Sequence, residues 1–131
     1  MRKITFIGLL VLAVAVCFSS NAFAQAKPES LLAIKGFDPI LLAQGKEQKG
    51  DEKISVDHKG FKYLFANDEN KAKFEKEPKR YGIQMEGECP VVPGAEGNPE
   101  IFTVYNERIY IFATENCLTS FKADPKKYVN P

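Results

Sequence analysis

The sequence predicts an α+β fold of two tandem units, each a β-hairpin followed by a short helix, packed into one compact domain. Two observations lead to this prediction. Segments 62–81 and 109–128 align at an offset of 47 residues, with seven of twenty positions identical. Each copy also changes from alternating apolar and polar residues to a segment with acids in its first turn, the pattern of paired strands before a helix.

In the first unit, the hairpin is predicted over 54–56 and 61–65, around a turn in which Gly60 permits a positive φ. Asn67 or Asp68 caps a helix over 69–76. Pro78 ends this helix, because the residue before a proline avoids the helical region. Upstream, we expect a turn at 36–39, a short apolar stretch at 40–42 and a polar loop at 45–52.

The second unit repeats this order. Strands are predicted over 101–105 and 109–112, Thr114 caps a helix over 115–123, and Pro125 ends it. Tyr81 and Tyr128, which follow the two helices, are expected to fold back onto the hairpins. The segment 82–97 is rich in glycine and proline, so we interpret it as a connector that contains Cys89.

The first 24 residues have the order of a secretory signal: Arg2 and Lys3, an apolar run over 4–18, and a small-residue cleavage site at 22–24. The apolar run is shorter than the roughly 18 to 20 residues that span a bilayer. We therefore expect cleavage after Ala24, no membrane anchor afterwards, and a secreted protein of the periplasm. The first unit is then 25–84 and the second 85–131.

The charge balance excludes several classes of function. Removal of the signal leaves 107 residues with 16 basic and 17 acidic side chains, which gives neither a nucleic-acid footprint nor a polybasic patch for lipid. His58 is the only histidine, which excludes histidine-rich metal sites, and we expect this residue to face solvent in a turn. With no phosphate loop, paired carboxylates or CxxC motif, the sequence does not predict an enzyme. The partner class left open is a periplasmic protein.

Motifs in both units resemble the YHS domain of exported bacterial proteins. In the first unit they are Gly36-Phe37-Asp38-Pro39, Gly60-Phe61-Lys62-Tyr63-Leu64-Phe65, Glu69-Asn70, Phe74, Pro78-Lys79-Arg80-Tyr81 and Gly87-Glu88-Cys89. In the second they are Ile109-Tyr110-Ile111-Phe112-Ala113, Cys117, Phe121 and Asp124-Pro125-Lys126-Lys127-Tyr128. The family is similar to the cysteine-rich TRASH modules, which are associated with heavy-metal handling. The resemblance implies a non-catalytic protein that binds a soft transition metal such as copper.

Cys89 and Cys117, the two cysteines left after signal removal, are the predicted metal ligands, and Met85 is a third candidate. Cys117 lies in the first turn of its helix, where free backbone N–H groups favour a thiolate. Two thiolates and a thioether suit Cu(I) better than zinc, which needs four good ligands. The TRASH modules have a third thiol where this chain has Phe121, and Asn70 stands in the first unit where the second has Cys117.

The alternative hypothesis is a disulfide between Cys89 and Cys117, in a structural or protein-interaction module without metal. An exported protein with an even number of cysteines favours this pairing. The bridge would close a loop of 29 residues and stabilise the fold by about 3 to 4 kcal/mol in the chain-entropy treatment. A thiol redox enzyme is the least favoured class, because the two cysteines are far apart in sequence.

Overall fold

A computed structural model describes residues 28–129, and the predicted signal peptide lies outside this range. In this range helices and strands are mixed along the sequence, with two small sheets and four helices, so the predicted α+β domain is confirmed. Within residues 28–129, no helix has the length and apolar character needed to cross a bilayer.

The first unit begins with the short strand β1 and continues through a short helix to a hairpin and a longer helix. Its elements are β1 (Leu31–Leu32), α1 (Pro39–Ala43), β2 (Asp51–His58), β3 (Phe61–Phe65), α2 (Asp68–Lys76) and α3 (Pro78–Tyr81). Strand β3 is central, because β1 pairs with it in parallel and β2 pairs with it in antiparallel orientation.

The second unit has the same hairpin and helix, in a two-stranded sheet. Its elements are β4 (Asn98–Tyr105), β5 (Arg108–Phe112) and α4 (Glu115–Ala123), followed by the 3-10 turn Pro125–Lys127. Ile83 makes one parallel bridge to Ile109, in the place where β1 pairs with β3 in the first unit. Both β2 and β4 begin three residues earlier than predicted. In each strand the pairing register shifts after the first residue.

Each hairpin is preceded by a tight turn of left-handed backbone, here called the left-handed loop. Ile34, Lys35 and Gly36 have φ of 46°, 54° and 78°, and the corresponding angles in the second unit are 57°, 54° and 87° at Met85, Glu86 and Gly87. A non-glycine residue with positive φ is uncommon, and a β-branched one such as Ile34 is an outlier. Two successive non-glycine residues in this region at corresponding places are therefore a strong sign of a common backbone.

The left-handed loops extend the duplication upstream of the similarity seen in the sequence. Gly36 O accepts a hydrogen bond from Gly50 N at 2.8 Å, and Gly87 O accepts one from Gly97 N at 2.7 Å. The offset is therefore 51 residues before this closure and 47 after it, because the first unit has four additional residues around α1. The segment interpreted as a connector thus belongs to the second unit, which begins near Ile83, two residues before the predicted boundary.

Each unit packs its aromatic side chains around one phenylalanine of its main helix. Phe74 contacts Tyr63 and Phe65 at ring-centroid distances of 4.6 and 5.3 Å. In the second unit Phe121 contacts its counterparts at 5.4 and 5.0 Å; these are Tyr110 and Phe112. The units also share a core, since the first cluster includes Ile109 and has the second unit's Phe102 and Val104 packed against it.

Candidate thiol site

Cys89 is held in a tight turn that surrounds its sulfur with backbone N–H groups. Its own N–H donates to the Ala95 carbonyl at 2.8 Å, which closes the turn after the left-handed loop. The backbone N–H groups of Val91 and Val92, and that of Ala113 just after β5, lie close enough to its Sγ to lower the pKa of the thiol. The residue has no solvent exposure.

These donors set the acidity of the Cys89 thiol. Burial raises its pKa, but the N–H groups of Ala113, Val92 and Val91 and the thiol of Cys117 together lower the pKa below the ordinary value of 9.0. Hydrogen bonds to sulfur favour the thiolate because they stabilise its charge where water has been removed. The surroundings of Cys89 therefore favour its thiolate form more than those of an ordinary cysteine do.

Cys117 reaches the same place from the first turn of α4. The helix begins where the sequence predicts, with Thr114 as its cap, and Thr114 Oγ1 accepts a hydrogen bond from Cys117 N at 3.2 Å. The Thr114 hydroxyl also contacts Cys117 Sγ at 3.2 Å. Cys117 is 8% exposed, so its sulfur is the more accessible of the two.

The two sulfurs are neighbours. The Cys117 thiol lies close enough to Cys89 to lower the pKa of that residue, and both residues belong to one apolar cluster with Tyr110, Phe112 and Phe121. Both are free thiols in the structure. Residues that are 28 positions apart in sequence thus form a pair that can share a proton, a metal ion or a covalent bond.

The other two candidate residues lie elsewhere. Met85 occupies the second left-handed loop, is 43% exposed, and lines an open groove rather than the buried thiol cluster. His58 ends β2 and packs edge-on against Phe74 at a centroid distance of 5.8 Å. Burial and the neighbouring Lys59 ammonium lower the pKa of His58, which favours its neutral form. It is half-buried, where the sequence predicted a solvent-facing side chain.

The first unit carries a different pair on the same backbone. Asp38 corresponds to Cys89, since both follow a left-handed loop and both precede a proline. Asp38 Oδ1 accepts from Ile40 N and Leu41 N at 2.8 and 3.2 Å. Its Oδ2 accepts from Ala66 N at 2.8 Å and from Asn70 Nδ2 at 2.9 Å. Asn70 is the counterpart of Cys117, so a carboxylate and an amide occupy the positions of the two thiols.

The correspondence of Asp38 with Cys89 was missed in the sequence, although a signal was present. Gly-Phe-Asp-Pro and Gly-Glu-Cys-Pro share the glycine and proline around the functional residue. They align at an offset of 51 instead of 47, and the longer loop of the first unit hides this alignment.

The ligand inventory limits which ion the thiol site can hold. Among residues 28–129, no group of three or more histidine, cysteine or carboxylate side chains is arranged to hold a metal. Structural zinc sites use four good ligands, of which the thiol pair supplies two. Two thiolates fit a soft monovalent ion such as Cu(I), which thiolate ligands select.

No protein-family model, curated protein or solved structure matches this chain. The likeness to the YHS domain stays a prediction, and the functional proposal depends on the thiol site itself.

Proposed function

We propose that this protein is a non-catalytic, exported, YHS-type protein that binds Cu(I) through Cys89 and Cys117. The observation that carries the proposal is the convergence of two thiols in one buried cluster, with three backbone N–H groups directed at one of the sulfurs. The metal ion is the bound cargo, and the chain supplies two ligands, a dry pocket and a fixed geometry.

The chemistry of the pair suits this ion. Binding releases protons from the thiols, and the lowered pKa of Cys89 reduces the free energy needed for that release. Two thiolates on one Cu(I) leave one net negative charge, which the N–H groups of Val91, Val92 and Ala113 stabilise. Such donors around a ligand tune its affinity for metal. Cys117, at the edge of the cluster, is the sulfur through which the ion enters.

The direct test is an anaerobic Cu(I) titration of the reduced protein against a chromophoric chelator. We expect one ion per chain, and a loss of affinity of roughly a hundredfold or more in Cys89→Ser and in Cys117→Ser, because each removes one of two thiolate ligands. Met85→Leu is the matched control and keeps wild-type affinity, because Met85 lies outside the thiol cluster. Equal affinities in wild type and Cys117→Ser would overturn the proposal.

The second candidate function is a disulfide-stapled interaction module, favoured by the nearness of the two thiols in one buried cluster. Formation of the bond removes two hydrogens and needs an oxidant, such as the thiol oxidases of a secretory compartment. Intact mass of the exported protein without reductant distinguishes the two candidates. A mass two hydrogens below that of the reduced chain supports the staple, whereas the full mass supports thiolates ready for metal.

A further inference from the structure

An open groove with a volume of about 640 Å³ lies beside the turn of the second hairpin. Tyrosines form its walls, a guanidinium group lies at its rim, and we call it the tyrosine groove. Its lining residues are Gln84, Met85, Tyr105, Asn106, Arg108, Tyr110, Tyr128 and Val129.

The first unit has a surface that corresponds to the tyrosine groove, and this surface is occupied by another part of the chain. Six of the lining residues correspond to one surface of the first unit: His58, Lys59, Phe61, Tyr63, Tyr81 and Gly82. That surface is covered by the chain segment 83–87. Ile83 N donates to the Tyr63 hydroxyl at 2.9 Å, Glu86 pairs with Lys59 at 2.9 Å, and Gly87 packs so closely on the Phe61 ring that an added Cβ would lie 3.0 Å from it.

Within residues 28–129, no hydrogen bond or ion pair occupies the corresponding hydroxyl and guanidinium groups of the second unit. Tyr110 is only 6% exposed, yet it lines the groove, and its hydroxyl makes no hydrogen bond to another residue within 28–129. Burial raises the pKa of Tyr110, and the Arg108 guanidinium opposes this shift, which places that cation near the phenol. Arg108 makes no ion pair within the described part of the chain, whereas the adjacent Glu107 pairs with Arg80 at 3.6 Å.

We propose that the tyrosine groove binds a peptide turn of another protein, in the manner in which the first unit binds the turn 83–87. A backbone N–H of the partner donates to the Tyr110 hydroxyl, an apolar side chain packs against Tyr105 and Tyr128, and an acidic side chain pairs with Arg108. In peptide binding, backbone hydrogen bonds supply much of the affinity, and a charge pair fixes the register of the peptide in its site.

The probe is a capped heptapeptide with the sequence of residues 82–88, titrated to millimolar concentration into isotopically labelled chain 25–131. We expect saturable amide shifts at Tyr105, Arg108 and Tyr110. Arg108→Glu weakens binding about fivefold, the effect of losing one partly exposed ion pair. Tyr110→Phe also weakens it, because the acceptor for the peptide N–H is lost. Lys126→Glu, which makes the same charge change outside the groove, is the matched control and keeps wild-type affinity.

Three outcomes would overturn the proposal. The first is the absence of shifts at the groove residues. The second is binding only after truncation at Val129, which would mean that the chain's own last residues fill the groove. The third is self-association that sedimentation detects in wild type and that Arg108→Glu abolishes, which would make the occupant a second copy. None of these outcomes depends on the copper titration, so the two proposals fail separately.

Discussion

The two units place different chemistry on one backbone. In each, a left-handed loop, a residue before proline and the first turn of a helix bring two side chains together among backbone N–H donors. The first unit uses Asp38 and Asn70, and the Asp38 carboxylate accepts four hydrogen bonds, one of them from the Asn70 amide. The second uses two sulfurs, which are weaker acceptors but can ionise, bind metal or oxidise. The first pair fits a structural role, whereas the two thiols of the second unit keep their capacity to react or to bind metal.

Truncation of the two acceptors should therefore have unequal effects on stability. Asp38→Ala leaves one buried and two partly buried N–H groups and the buried Asn70 amide without a partner, so we expect a loss of about 3 to 5 kcal/mol in the free energy of unfolding. Cys89→Ala removes a smaller, more weakly bonded atom and should lose only about 1 to 2 kcal/mol. Urea denaturation of the reduced proteins measures both. Equal losses would mean that the thiol pair is as structural as the Asp38 pair.

The helix caps test the same comparison between the units, with smaller expected losses of stability. Asn67 Oδ1 accepts from Asn70 N at 2.8 Å, as Thr114 Oγ1 accepts from Cys117 N at 3.2 Å. Asn67→Ala and Thr114→Ala should each lose about 1 kcal/mol of stability. Only Thr114→Ala also removes a hydroxyl from Cys117 Sγ, so only this variant should change the affinity for Cu(I). A change of affinity in Asn67→Ala would show that helix fraying, rather than the hydroxyl, controls the site.

The smallest expected effect is the pH dependence that the Cys89 thiol contributes to stability. The pKa of Cys89 is lower in the folded protein than its ordinary value, so folding favours the thiolate. Its contribution to stability is complete above the unfolded pKa of about 9 and is lost as pH falls through the folded pKa. The stability of wild type relative to Cys89→Ser should therefore increase from pH 6 to pH 9, measured by urea denaturation under reducing conditions. A constant difference would contradict the assigned acidity of Cys89.

Much of the second unit was predictable from sequence, because local rules determine its elements. Helix α4 has the predicted bounds, Glu115–Ala123, and the predicted cap, since Thr114 and Pro125 act within a few residues of the helix ends. The hairpins were found from alternating apolar residues and the short turns between them. The nearness of Cys89 and Cys117 was also expected.

The left-handed loops were not predictable in the same way. Ile34 and Met85 carry no turn signature, and their positive φ depends on tertiary packing and on the closure between Gly36 and Gly50 or their counterparts. Without those loops, segment 82–97 resembles a connector, and Asp38 has no visible relation to Cys89. The tyrosine groove was missed for the same reason. It is interpreted as a binding site only by comparison with the matching face of the first unit, which a segment of the chain covers.

The distribution of the tyrosines gives the protein a built-in optical reporter. The chain has no tryptophan and five tyrosines, so tyrosine alone supplies its intrinsic fluorescence. Three of the five, Tyr105, Tyr110 and Tyr128, line the groove. Tyr110 also belongs to the cluster around the sulfurs, and the other two pack against that cluster. Tyr63 and Tyr81 lie in the first unit and form a constant background. A change in emission can thus follow events at the second unit without any attached dye.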